Sequence, residues 1–506
     1  MLYNEANVSM ERGRLSAAQQ AAMRAVEAAQ QEFPAGHPNQ ATSLAQLALI
    51  QRALHDYGNA EKLYRMAADI FAAANGPRHH SVGTVKNNLA DMLRDLGRLD
   101  EAESLCREAL AIYKESEGAE HPFVAPAAEN LGLILMEREQ YEGAREAFAE
   151  ALAVYEKNFG PGALNAALCR VHLGDAEFAL GRLDAAEDEY RRAAAAIEQG
   201  TSPAGGRLAL PLRRLGDLLR RRGRVEEAAA AYRSALDAMR AAYGPTSPML
   251  SAPLDALASL YMEQHDYDQA EPLLVEAVAL QRESPTSSTA SLAAALSSLA
   301  GLYTAEGRNT AAEPLVREIV SLWERAPEPD RTERLPGALF DLGRLHLRMA
   351  RYREAAEELE RSARLFQNVP GATALDRLKP LNSLIEVYRL QGRLDEARRT
   401  GEFVIEQTER AFGRDHVNTA AALNNLGKVL YSAGSLRKAR RLFERALKIN
   451  EERLGPDDPA VAVTLNNLAL VLEAQGEPDK AAALYGRAQA IRENKAPSSD
   501  DSMNGD

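Results

Sequence analysis

One turn residue recurs at a fixed interval along this 506-residue chain: Gly13, His55, Gly97, Glu139, Gly181, Gly223, His265, Gly307, Ala350, Gly392, Gly434 and Gly476. Every step is 42 residues except that from Gly307 to Ala350, which is 43, with the extra residue in the loop "APEPDRTERLPG". A chain made of one short unit repeated cannot close around a single large core; it grows in one dimension, each unit burying its apolar face against its neighbours. Five residues after the turn all twelve units have alanine, from Ala18 to Ala481, and eight before it eleven have leucine, from Leu47 to Leu468, Glu5 being the departure in the first. The residue after that leucine is Gly or Ala, except Ile385.

These positions read as a helix hairpin. Before the turn, Leu423, Leu426, Gly427 and Leu430 follow the i, i+3, i+4, i+7 spacing of one helix face; after it, Leu436, Ala439, Phe443, Ala446 and Leu447 do the same. Small residues at fixed points let the two helices cross closely, at interaxial distances of about 8–10 Å. Gly-Pro pairs, as at Gly76-Pro77 and Gly455-Pro456, end one unit and turn the chain into the next. The expected fold is all-α: a helical solenoid of about twelve units over residues 1–494, followed by a short disordered acidic tail, 495–506.

Charge and composition narrow the function. A net charge of −13 argues against general binding to nucleic acid or anionic membranes. No apolar run approaches the ~20 residues needed to span a bilayer, and "MLYNEANVSMERGR" lacks the apolar core of a secretory signal; a cytoplasmic location is expected. Arginine's excess over lysine fits a GC-rich bacterial genome. Two cysteines, Cys106 and Cys169, cannot build a disulfide framework. The nine histidines follow the repeat more than any ligand spacing: His37, His79, His121 and His416 stand eighteen residues before a turn, and His55 and His265 occupy it. Capping and turn roles are expected of them, and core roles of Cys106 and Trp323, which share register positions with aromatic residues. No catalytic motif is present, and no cofactor is expected.

The pattern Leu426, Gly427, Gly434, Ala439, Phe443, Ala446 resembles the tetratricopeptide repeat, and the 42-residue period with "LNNL" and "LGPDDP" is similar to the kinesin-light-chain-like subclass. The resemblance spans essentially the whole chain. It implies a right-handed superhelix whose concave surface is lined by the first helix of each unit. A kinesin light chain's heptad coiled coil has no counterpart here, so motor-cargo work is not implied.

On that first helix, positions thirteen, ten, six and three before the turn form a second stripe opposite the leucines. Ten before the turn stand Asn87, Asn382, Asn424 and Asn466, whose amides can both donate to and accept from a peptide backbone. The next asparagine (Asn88, Asn130, Asn425, Asn467) lies nearer the neighbouring helix and has two readings, groove contact or bonding between units. Arg344, Lys379, Arg389 and Lys428 add positive charge to the stripe, and unit six adds Arg213, Arg220 and Arg221. Units seven and eight offer Asp255, Ser259, Ala294 and Ser297 instead. The expectation is a non-catalytic interaction scaffold that binds a protein or peptide segment, acidic or ending in a free carboxylate, in its groove. The alternative is a peptide-sensing regulatory module whose output domain is a separate protein or lies outside this chain. Nothing in the sequence speaks for nucleic acid, membrane or self-association.

Overall fold

The computed structural model describes residues 2–200 and 205–494; the expected tail at 495–506 lies outside the described residues. Among the described residues the chain forms twenty-four α-helices and two short 3-10 turns, and no strand. The helices pair into antiparallel hairpins at the 42-residue period, so the fold is the expected all-α helical-repeat solenoid. It divides into two compact units, Met1–Gln264 and His265–Asp506, at the turn of the seventh repeat. No described helix is long and apolar enough to cross a membrane.

The turn residue earns its recurrence by conformation. All twelve occupy the left-handed region, from φ 57° at His265 and Ala350 to 81° at Gly476. There the chain closes a Schellman motif: in repeat eleven the Ser435 N–H donates to the Leu430 carbonyl (2.8 Å) and the Gly434 N–H to that of Tyr431 (2.9 Å). A side chain in this conformation costs about 1–2 kcal/mol. His55 and His265 offset part of it by pairing Nδ1 with the hydroxyls of Tyr57 (2.9 Å) and Tyr267 (3.0 Å).

At the opposite end of the first helix, His37, His79 and His416 are N-caps whose Nδ1 accepts the N–H two residues on, at 3.1–3.2 Å. His121 accepts from Phe123 in the same way at 3.3 Å. Asp458 and Ser247 fill that register position in other repeats and cap likewise. The histidine spacing is therefore a helix-start signal.

Inside each hairpin, the recurring alanine is buried in all twelve repeats. The small residue after the leucine has a defined opponent, nine residues past the turn. A Cβ on Gly132, Gly174, Gly216 or Gly427 would lie 2.4–2.6 Å from the ring of Phe148, Tyr190, Tyr232 or Phe443. Repeat ten exchanges the sizes at these two register positions, with Ile385 in place of the small residue and Gly401 in place of the larger one. Cys106 takes the ring's place opposite Ala90 and is fully buried, and burial pushes its thiol up to about 12. Trp323 is likewise a core residue.

Successive hairpins stack unevenly. In the first unit the first helices of repeats one to six touch in succession, and in the second those of repeats nine to twelve do, whereas no second helix makes a comparable contact with the next second helix. First helices therefore crowd onto the inner face of each unit, where the polar stripe lies. In the second unit the first helices of repeats eight and nine, Thr289–Ala305 and Asp330–Arg348, make no comparable contact.

Candidate peptide-binding face

The asparagine positions form a ladder with a defined bonding rule. The second Asn of one repeat donates its amide to the first Asn of the repeat before: Asn130 to Asn87 (3.1 Å), Asn425 to Asn382 (3.2 Å) and Asn467 to Asn424 (2.9 Å). Repeats four and five use the same rung for His172 and Glu129, 3.0 Å apart. The second Asn is thus an inter-repeat bond between side chains. The first Asn gives its carbonyl oxygen to that bond and retains its amide. In Asn382 the amide donates to the Leu378 carbonyl (3.2 Å). Among the described residues, the Asn424 amide and the Asn466 side chain make no protein hydrogen bond. Asn87, only 9% exposed, is the least accessible of the four.

The cations of the stripe separate into two groups. Arg220 is held by Glu263, with Nε 2.7 Å from one carboxylate oxygen and a second guanidinium bond to the other; that bonding holds its pKa above the ordinary arginine value. Arg389 is held by Glu386 at 2.6 Å and Lys379 by Asp376 at 3.0 Å, and Arg213 reaches Asp217 at 3.5 Å. Arg344 and Lys428, among the described residues, have no carboxylate within ion-pair distance. The Arg344 guanidinium lies over the Phe340 ring, 5.5 Å from its centroid, in a cation–π contact that leaves its N–H groups open. Lys428 stands one helical turn beyond Asn424 on Val417–Ser432.

The expected residues fall in two places. Asn87, Arg213 and Arg220 belong to the first unit; Arg344, Lys379, Asn382, Arg389, Asn424, Lys428 and Asn466 all belong to the second, in repeats nine to twelve. The second set lies on consecutive first helices. The last of these, Pro459–Ala474, adds exposed apolar residues, Val463 and Leu470, at the same stripe positions.

Sequence reasoning missed a cleft. Where the first helices of repeats eight and nine part, a space of about 430 Å³ opens, floored by Val316, Ile319 and Leu345 and rimmed by Asp341, Arg344 and Arg348. A volume deficit contributes: Val316 stands where six other repeats carry a ring, and Ser297 and Gly301 line the gap. A Cβ on Gly301 would meet nothing within 4 Å. The signals in the sequence were those small residues beside Arg344 and the extra residue in the preceding loop. Among the described residues no His, Cys, Asp and Glu cluster could hold a metal ion.

Stacked hairpins with a left-handed turn and a small-residue crossing define a helical-repeat protein, and comparison with known families agrees. A tetratricopeptide-repeat model matches residues 1–73, 123–199, 376–452 and 434–494, more than half of the chain. The MalT-like TPR region matches 163–336, and further tetratricopeptide-repeat models match 82–123 and 340–402. The chain belongs to the tetratricopeptide-repeat family. No curated protein sequence matches it. Among solved structures, the apo form of RapI is 15% identical, with a TM-score of 0.53 over 73% of this chain and 98% of its own. BtubC (BKLC) from P. vanneervenii is 27% identical over 46% of this chain and 93% of its own, with a TM-score of 0.39. A putative kinesin light chain from Podosopora anserina, with nearly identical TPR-like repeats, is 21% identical over 41% and 97%, with a TM-score of 0.38.

Proposed function

We propose that this chain is a non-catalytic scaffold that holds an extended peptide or protein segment on the inner face of its second unit, across repeats nine to twelve. Tetratricopeptide repeats support an interaction scaffold or regulatory module as the broader class. The observation that carries the finer reading is the pair of uncommitted cations, Arg344 and Lys428, in line with the amides of Asn382, Asn424 and Asn466. Asparagine amides bond a backbone whatever its sequence, and two open cations on an otherwise acidic protein favour a ligand with carboxylates, in side chains or at a free C-terminus. Val463 and Leu470 would take an apolar residue at one end.

The test is fluorescence anisotropy with labelled acidic peptides, with and without amidated C-termini, on wild type and single variants. Lys428→Ala and Arg344→Ala are each expected to weaken binding roughly tenfold, an effect that fades with salt. Arg220→Ala, whose charge Glu263 already neutralises, should change affinity little. Equal losses at all three positions would mean that general charge drives binding, and the proposed site would fall.

A further inference from the structure

The cleft between repeats eight and nine carries chemistry that an extended acidic peptide does not need. Its rim holds charges of both signs on one helix face: Asp341, Arg344 and Arg348, at i, i+3 and i+7 of Asp330–Arg348. All three are exposed, and among the described residues none of them is ion-paired. Asp341 and Arg344 are not paired with each other either, because the guanidinium lies over Phe340. The floor is aliphatic (Val316, Ile319, Leu345), and Ser297 and Thr304 line the opposite side, the Thr304 hydroxyl donating to the Ala300 carbonyl at 2.7 Å. At about 430 Å³ the space is at the small end of the range for metabolite sites.

We propose that this cleft binds a small aliphatic zwitterion, of the class of the free branched-chain α-amino acids. A simple carboxylic acid would satisfy the arginines but set its charge beside Asp341. A simple amine would meet Asp341 but face two guanidinia. An uncharged apolar molecule would use the floor and draw nothing from the rim. An α-amino acid uses each part: its carboxylate lies at Arg344 and Arg348, its ammonium at Asp341, and its side chain on Val316, Ile319 and Leu345. Residues three apart on a helix have Cβ atoms about 5–6 Å apart, a span that two groups on one carbon can bridge. The ligand would touch both first helices and so bridge the gap that the packing of the second helix of repeat eight leaves open.

The site is separate from the peptide-binding reading and shares only Arg344 with it, so its test uses other positions. Isothermal titration calorimetry and thermal unfolding of the full chain with leucine, 4-methylpentanoate and isopentylamine distinguish the charge requirements. Leucine is expected to bind saturably and to raise the melting temperature, with each one-charge analogue at least roughly tenfold weaker. Arg348→Gln should weaken leucine roughly tenfold, and Gly301→Val should abolish binding by filling the cleft without destabilising the chain. Asp341→Asn should erase the preference for leucine over 4-methylpentanoate. No saturable binding of leucine, isoleucine or valine up to about 10 mM would overturn the proposal. So would 4-methylpentanoate binding as tightly as leucine, or leucine binding unchanged by both Arg348→Gln and Gly301→Val. Loss of the acidic-peptide signal alone would leave this site standing, and the reverse result would leave the peptide face standing.

Discussion

The seam between repeats eight and nine and the seam between repeats ten and eleven start from the same economy and end differently. Each follows a repeat with a reduced side chain nine residues past its turn, Val316 in one and Gly401 in the other. At the later seam the missing volume is taken up: the place of a Gly401 Cβ lies 2.9 Å from Leu426 of the next repeat, and Asn425 reaches Asn382 at 3.2 Å. At the earlier seam the first helices part, and the joint is held instead by a charged clasp. There His346, fully buried, places Nδ1 2.6 Å from Glu358 and Nε2 3.2 Å from Glu313, and Glu313 also pairs with Arg351 at 2.7 Å and Arg317 at 2.8 Å. Hairpin packing is thus the invariant part of the design. The seam is where the same unit can be closed by neutral amides or left open beside charge.

Two glycines make the sharpest test. Gly427 belongs to the invariant crossing, and a Cβ there would stand 2.5 Å from Phe443. Gly427→Val is expected to cost about 3 kcal/mol, the upper end of ordinary overpacking, read as a lower midpoint in urea unfolding. Phe443→Val on the same background should recover much of the loss. Gly301→Val, at an open seam with nothing within 4 Å, should stay within about 0.5 kcal/mol of wild type. Equal costs at the two positions would show that the seam is closed in solution.

The crossing was legible in the sequence because eleven of twelve repeats print Gly or Ala at the same position, and the departure, Ile385, comes with Gly401 in place of a larger residue. The left-handed turn was legible for the same reason, even where His55 or Ala350 replaces glycine. What stood outside the pattern was less legible. That Arg220 is held depends on Glu263, 43 residues further on, reaching back across a seam, and Lys428 has no such partner within ion-pair distance among the described residues. The cleft depends on how far two helices stand apart, which no single position records. Asn425 and Asn382 were visible as a motif, but their bond joins neighbouring repeats, and only stacking reveals which atom each one gives up.

The clasp should make one seam sensitive to acid. Burial pushes the Glu313 carboxyl up, but hydrogen bonds from Arg317, Arg351 and His346 outweigh that and hold it at about 2. A carboxyl held below its ordinary value of 4.5 stabilises the fold above that pH, and the contribution is lost as pH falls from 4.5 towards 2. Glu358, pushed up by burial against the attraction of His346, contributes with the opposite sign and softens the change. Glu313→Gln is therefore expected to lower stability at pH 7 by about 2 kcal/mol, with the gap to wild type shrinking steadily between pH 4.5 and 3 in thermal unfolding. A gap independent of pH would assign the clasp to packing. Asn425→Ala, at the neutral seam, should show no such pH dependence.

That variant also gives the smallest expected effect and divides the two roles of the asparagine ladder. Removing Asn425 takes one neutral hydrogen bond from a half-buried rung, a loss of about 1 kcal/mol, and leaves the Asn382 carbonyl oxygen without its donor. Asn382→Ala removes the same bond, the amide's bond to the Leu378 carbonyl, and the side chain proposed to meet the ligand. If the first asparagine is the clamp and the second only the rung, both variants lose stability, while acidic-peptide affinity falls in Asn382→Ala and holds in Asn425→Ala. Falling affinity in both would mean that the peptide senses the spacing of the helices, and the ligand contact would then belong to the seam as a whole. Unchanged affinity in both would make the ladder a device for stacking repeats, with Lys428 and Arg344 left as the recognition elements.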